Sequence, residues 1–160
     1  MKPGGFTLVE LMVTLVLLGM LVAVVAPMGG GWSKNAHRLM TQNALNEAVG
    51  RARGAALRNA MAATGDDPVA AVCVKDQEIY VLEGVTGTAP SCTTNAGNES
   101  WRQKINAGVS ITQGGADYQC SCFNNHGLLT LSSCNTCSTS STFVIATGAG
   151  ANDTDTFVLD

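Results

Sequence analysis

Histidine is nearly missing from this chain: His37 and His126 are the only two in 160 residues. No histidine pair stands at metal-ligand spacing, and no serine–histidine–acid set is evident, so hydrolytic and histidine-metal chemistry lack their usual residues. We therefore expect a non-enzyme with no catalytic residue, no cofactor and no metal. Aromatic residues make up 5% of the chain. A small folded head with so few rings has a thin core and needs support from elsewhere. Charge is scarce as well, at 13%, and unevenly placed. From Lys34 to Arg58 five bases (Lys34, Arg38, Arg51, Arg53 and Arg58) face one acid, Glu47. From Asp66 to Asp160 ten acids face three bases, Lys75, Arg102 and Lys104. A basic shaft carrying an acidic head is expected. Asp66-Asp67 and Asp153/Asp155 lack the regular spacing of a calcium loop and read as solvated turns. His37 reads as a solvated helix residue.

What is present begins at the N-terminus, with Met1-Lys2-Pro3-Gly4-Gly5 ahead of an apolar run from Phe6 to Pro27 whose single charge is Glu10. As a helix rising ~1.5 Å per residue, that run spans a bilayer core of about 30 Å. An ordinary secretory signal places its small-residue cleavage site beyond the apolar core. Here the candidate cut precedes it, at Gly5/Phe6, so the helix stays on the mature chain. Glu10 has two readings. It sits at headgroup level and is tolerated, or it pairs with a cation inside an assembly, such as the freed amine of Phe6 on a neighbouring subunit. A carboxylate near the end of a membrane helix otherwise costs roughly 2–3 kcal/mol.

The order Gly5-Phe6-Thr7-Leu8-Val9-Glu10-Leu11 resembles the class III signal and helix start of type IV pilins and type II secretion pseudopilins. The resemblance implies cleavage after Gly5 by a prepilin peptidase, methylation of Phe6 and an assembly role for Glu10. It also matches Pro27 to a proline common in the family.

Pro27 and Gly29-Gly30-Gly31 are expected to kink or melt the helix over residues 26–32. The alternatives are a plain linker and, as the resemblance implies, a point of bending during filament packing. Helical spacing then resumes through Trp32, Ala36, Leu39, Leu45, Ala48, Val49, Ala52, Ala55, Ala56 and Ala60, ending before Thr64-Gly65-Asp66-Asp67-Pro68. Unbroken, residues 6–62 would measure roughly 85 Å, which implies a stalk. Short β-branched or aromatic runs separated by Gly, Asn, Asp and Ser predict strands at 69–74, 78–82, 109–112, 118–122, 128–131, 143–146 and 156–159. The expected fold is α+β and pilin-like, a long N-terminal helix packed on a small antiparallel β-sheet head with disulfides. Its parts are a leader at 1–5, a transmembrane and assembly helix at 6–27, an amphipathic helix half at 28–65 and a β-rich head at 66–160.

The stretch from Ala44 to Arg58 resembles the helix end of GspH/FimT-type minor pilins, as do Val72-Cys73, Trp101-Arg102 and Phe123 to Thr130 in the later chain. Some DNA-binding members carry a Gly-Arg-x-Arg phrase near the C-terminus. Here Phe143 to Gly150 holds no arginine.

Six cysteines remain: Cys73, Cys92, Cys120, Cys122, Cys134 and Cys137. The Cys-x-Cys and Cys-x-x-Cys pairs are a possible thiolate set for zinc. A head held outside the cytoplasm favours disulfides instead. Cys73–Cys92 would close one loop, and Cys120 and Cys122 would meet Cys134 and Cys137 across a hairpin through Gly127. Asn98-Glu99-Ser100 and Asn152-Asp153-Thr154 match glycosylation sequons, of use only in a host that reads them.

Three functions follow. The first is a minor pilin of a type IV pilus near the filament tip, or its close variant, a minor type II secretion pseudopilin. Its partners would be other pilins, prepilin peptidase, an inner-membrane assembly platform and the inner membrane itself, with the head in the periplasm. The second is a DNA-binding module with Arg102 and Lys104 as weak candidates; DNA is disfavoured because phosphate binding needs an accessible basic surface. The third is a tethered domain that never polymerises.

Overall fold

The computed structural model describes residues 5, 7–25, 29–132, 134, 137–148 and 154–158. It divides into two units, residues 1–36 and 37–160. Two helices, α1 (Leu8–Val25) and α2 (Gly29–Arg58), precede nine strands. These are β1 (Pro68–Lys75), β2 (Glu78–Glu83), β3 (Asn98–Lys104), β4 (Val109–Gln113), β5 (Ala116–Asp117), β6 (Cys120–Asn124), β7 (Leu129–Thr130), β8 (Thr142–Thr147) and β9 (Thr154–Val158).

In the first unit α1 buries none of its side chains. Its leucines, valines and methionines stand between 52% and 75% exposed. Its 18 residues cover about 27 Å at the standard rise. It is the one helix among the described residues long and apolar enough to cross a membrane. Gly29 to Trp32 are helical, part of the start of α2, so within this stretch the expected melting is not seen. Residues 26–28, and with them Pro27, lie outside the described residues.

The second unit is built on alanine. Ala44, Leu45, Ala48, Val49, Ala52, Ala55 and Ala56 recur at three- and four-residue steps on α2, and all are buried. Small side chains let the helix approach the sheet closely. Trp32, Ala36, Leu39 and Ala60, counted in the same stripe from sequence, are exposed, Trp32 at 84%. The helix also stops earlier than expected. Asn59 adopts a left-handed φ of 45°, and its amide reaches back to the carbonyls of Ala55 and Ala56 at 3.2 and 3.0 Å. Its side chain then bonds both backbone groups of Ala63. An asparagine cap, rather than Gly65 or Pro68, ends the helix.

The single sheet expected from sequence is two. One runs β3-β2-β1-β6-β7, the other β5-β4-β8-β9, and every pairing is antiparallel. β1 and β2 turn through Asp76 and Gln77, both at positive φ, the backbone of a tight two-residue hairpin. Pro68 to Val74 is buried or nearly so on both faces, because alternate residues enter two different cores. Ala70 and Val72 join the α2 stripe, Ile79, Val81 and Phe123, together with Ile111, Phe143 and Ile145 of the second sheet. Tyr118 meets Phe143 edge-on, with ring centroids 5.0 Å apart. Ala71 and Cys73 face the other way, with Tyr80, Leu82, Cys122 and Cys134.

Two strands were not anticipated. β3 reads Asn-Glu-Ser-Trp-Arg-Gln-Lys, with Trp101 half-buried and the rest exposed, so it shows no apolar alternation. It is an edge strand whose charges guard against further pairing. β5 is two residues long. The strand expected at 118–122 begins at Cys120 instead, since Tyr118 and Gln119 lie between β5 and β6.

Candidate functional site

The N-terminal segment carries the first candidate site. Thr7 caps α1: its hydroxyl accepts the Glu10 amide at 3.2 Å, and its carbonyl accepts the Leu11 amide at 3.2 Å. Thr7-Leu8-Val9-Glu10 is thus a Thr-x-x-Glu capping arrangement that places an acid in the first turn, where the helix dipole favours it. Thr7 was missed from sequence, although the spacing was there to be read. Glu10 is exposed, as is Gly5. Phe6 lies outside the described residues, so the Phe6–Glu10 pairing is not addressed by the geometry.

The head surface resolves the charge asymmetry into local pairs. Arg38 lies 3.4 Å from Asp155 and Arg58 2.9 Å from Glu83. Arg51 reaches Glu47 one turn back at 2.7 Å, both half-exposed. Each exposed pair contributes about 0–1 kcal/mol. Basic helix and acidic head are therefore partly matched to each other. Arg53 lies over the Phe123 ring at 6.0 Å.

Arg102, a weak nucleic-acid candidate, is held by two carboxylates. It donates to Glu99 at 2.8 Å and also bonds Glu78, with its guanidinium 5.5 Å above the Tyr80 ring. The hydrogen bond to Glu99, and then that to Glu78, raises the arginine's already high pKa. The same bond from Arg102 holds the Glu99 carboxyl below its ordinary range. Burial pushes the Tyr80 phenol up against the lowering effect of Arg102. Lys104 stands opposite Glu78 in the β2–β3 register. Two acids around one arginine make a poor phosphate seat.

Asp66 accepts from Asn124 at 3.1 Å, and Asp155 pairs with Arg38, so both have partners within the fold. Asn98 opens β3, whereas Asn152 and Asp153 lie outside the described residues.

The six cysteines form three bridges: Cys73–Cys92, Cys120–Cys137 and Cys122–Cys134, with Cα separations of 5.5, 4.7 and 6.4 Å. Cys120 and Cys122 lie two residues apart on β6, and β6 sets Cys120 beside Cys73 on β1. The bridges thereby strap Cys92, Cys134 and Cys137 over the sheet face that α2 does not cover. Each contributes about 2–4 kcal/mol in the chain-entropy account. No cysteine is free.

Among known families, the model of the prokaryotic N-terminal methylation motif matches residues 1–26. No curated protein and no solved structure matches the chain. Over that N-terminal stretch, with its apolar helix α1, the chain is type IV pilin-like.

Proposed function

We propose that this chain is a minor pilin of a type IV pilus, of the GspH/FimT type, an assembly subunit placed at or near the filament tip. The observation that carries the reading is the methylation motif over residues 1–26 leading into α1, whose apolar surface is wholly exposed. In this reading prepilin peptidase removes residues 1–5 and Phe6 becomes the methylated N-terminus. The apolar helix then waits in the inner membrane with the head in the periplasm. An inner-membrane assembly platform extracts it, and α1 exchanges lipid contact for contact with the helices of other pilins. Glu10 neutralises the Phe6 amine of a neighbour and sets axial register, while Pro27 allows the bend that packing requires. Nothing in this mechanism calls for catalysis. The minor pseudopilin of a type II secretion system rests on the same helix and differs in the machine. The two carboxylates around Arg102 weigh against DNA as the ligand of the head.

Peptide mass spectrometry on sheared surface filaments and on the membrane fraction of the native host tests the reading. A chain in the filaments that begins at methylated Phe6 supports the minor pilin. A processed chain confined to the membrane fraction moves the assignment to the pseudopilin, and an unprocessed N-terminus overturns both. Glu10→Ala is expected to leave the head folded and to impair incorporation; normal incorporation would remove the pairing with Phe6.

A further inference from the structure

The three bridges are not independent. Cys137 Sγ lies 3.7 Å from Cys122 Sγ, a sulfur to which it is not bonded. It also falls within 4.8 Å of Cys134 and of Cys92, besides its own partner Cys120. Besides its own partner, Cys137 therefore lies near Cys92 of one bridge and near both sulfurs of the other, Cys122–Cys134. Access is uneven too. Cys73, Cys120, Cys122 and Cys134 are buried, and only Cys92 and Cys137 are half-exposed. Cys137 and its partner Cys120 line a cavity of about 290 Å³ with Gln113, Asp117, Tyr118 and Ser138, and Cys92 lines another of about 320 Å³. Cys137 is the one of the two half-exposed cysteines with a sulfur of another bridge at 3.7 Å. The opening at Cys137 admits a small thiol.

We propose that Cys137 is a thiol-exchange site, the point at which a low-molecular-weight thiol enters the head and from which the bridging can move without unfolding the sheet. Disulfides exchange by thiolate attack on sulfur, at rates set by access and by which sulfur is reached. An incoming thiolate attacks Cys137 Sγ, forms a mixed disulfide there and expels Cys120 as thiolate, which takes a proton from water. A second thiolate attacks the external sulfur of that mixed disulfide, leaves as the small-molecule disulfide and frees the Cys137 thiolate. Cys137 then attacks Cys122 Sγ, making Cys122–Cys137 and expelling Cys134. Two thiols have been oxidised, one protein bridge has been reduced, and the second has changed partner.

The test uses the full chain in detergent micelles with limiting glutathione, quenched in acid, digested with pepsin and mapped by mass spectrometry. The first adduct is expected on Cys137, with Cys120 the first free thiol. An adduct arising first on any other cysteine would overturn the entry point. In a second arm, Cys120→Ser leaves Cys137 without its partner. Exchange predicts Cys122–Cys137 alongside Cys122–Cys134, with alkylation shared comparably between Cys134 and Cys137. Alkylation of Cys137 alone, with Cys122–Cys134 intact, would overturn the migration. Should that variant fail to fold, the appearance of Cys122–Cys137 in the glutathione-treated wild type decides the same point by its presence or absence.

Discussion

The side chains of α1 and those of the sheet core are chemically alike, yet Leu8 and Val9 stand 75% and 69% exposed while Val72, Ile79 and Val81 are fully buried. The head buries a core of apolar groups within itself, whereas α1 leaves all of its own exposed. The difference lies in what each stretch has beside it. β1 is flanked by strands and covered on both faces, so its alanines and valines disappear from solvent. α1 has apolar residues all round and buries none of them, the pattern of a membrane-spanning helix rather than a core helix. Apolar content alone therefore does not say where a core is.

The largest effect that would sharpen this contrast is full reduction of the head. Three bridges at about 2–4 kcal/mol each are together comparable to the whole stability of an ordinary domain, about 5–15 kcal/mol. Reductant is expected to abolish the cooperative melting transition of the head while leaving the helical signal of α1 in micelles. Next comes Phe143→Ala, which removes a ring from the meeting of both sheets and α2 and should cost about 3–5 kcal/mol in denaturant unfolding. Leu17→Ala in α1 is the matched control, and no change in head stability is expected. Ala52→Leu, at a fully buried helix position, should overpack the helix–sheet contact by about 1–3 kcal/mol on the same assay. Loss of the Thr7 cap in Thr7→Ala is worth about 1 kcal/mol and should appear only as faster amide exchange in the first turn of α1.

The smallest effect is that of pH on β3. Glu99 has its carboxyl depressed by Arg102, so its contribution is present above the unfolded value of about 4.3 and is lost as pH falls through the lower folded value. Protection factors for amide exchange along Asn98–Lys104 should fall as pH drops through the lowered Glu99 value, and Glu99→Gln should remove that dependence.

Most of the architecture was legible because it obeys simple periods. The Leu45–Ala56 stripe and the β-branched runs announce a helix on strands, and the N-terminal motif announces the anchor. What was not legible depends on neighbours. β3 is a strand only because β2 offers it a ladder, and no apolar alternation marks it in sequence. Asn59 ends α2 through a left-handed turn that an asparagine adopts in context, while the obvious breakers lie downstream. Trp32 and Leu39 fit the helical period but are exposed. At the candidate site, the charge asymmetry was visible, whereas the pairing of Arg38 with Asp155 joins residues more than a hundred positions apart and needed the fold.

The opposed faces of β1 make the cysteines a check on strand alignment. A slip of one residue in the β1–β6 ladder would turn Cys73, or Cys120 and Cys122, toward α2 and away from Cys92, Cys137 and Cys134. Such a misaligned head could not close its bridges, so oxidation proofreads the sheet: a fully bridged chain is one whose strands have already found their register.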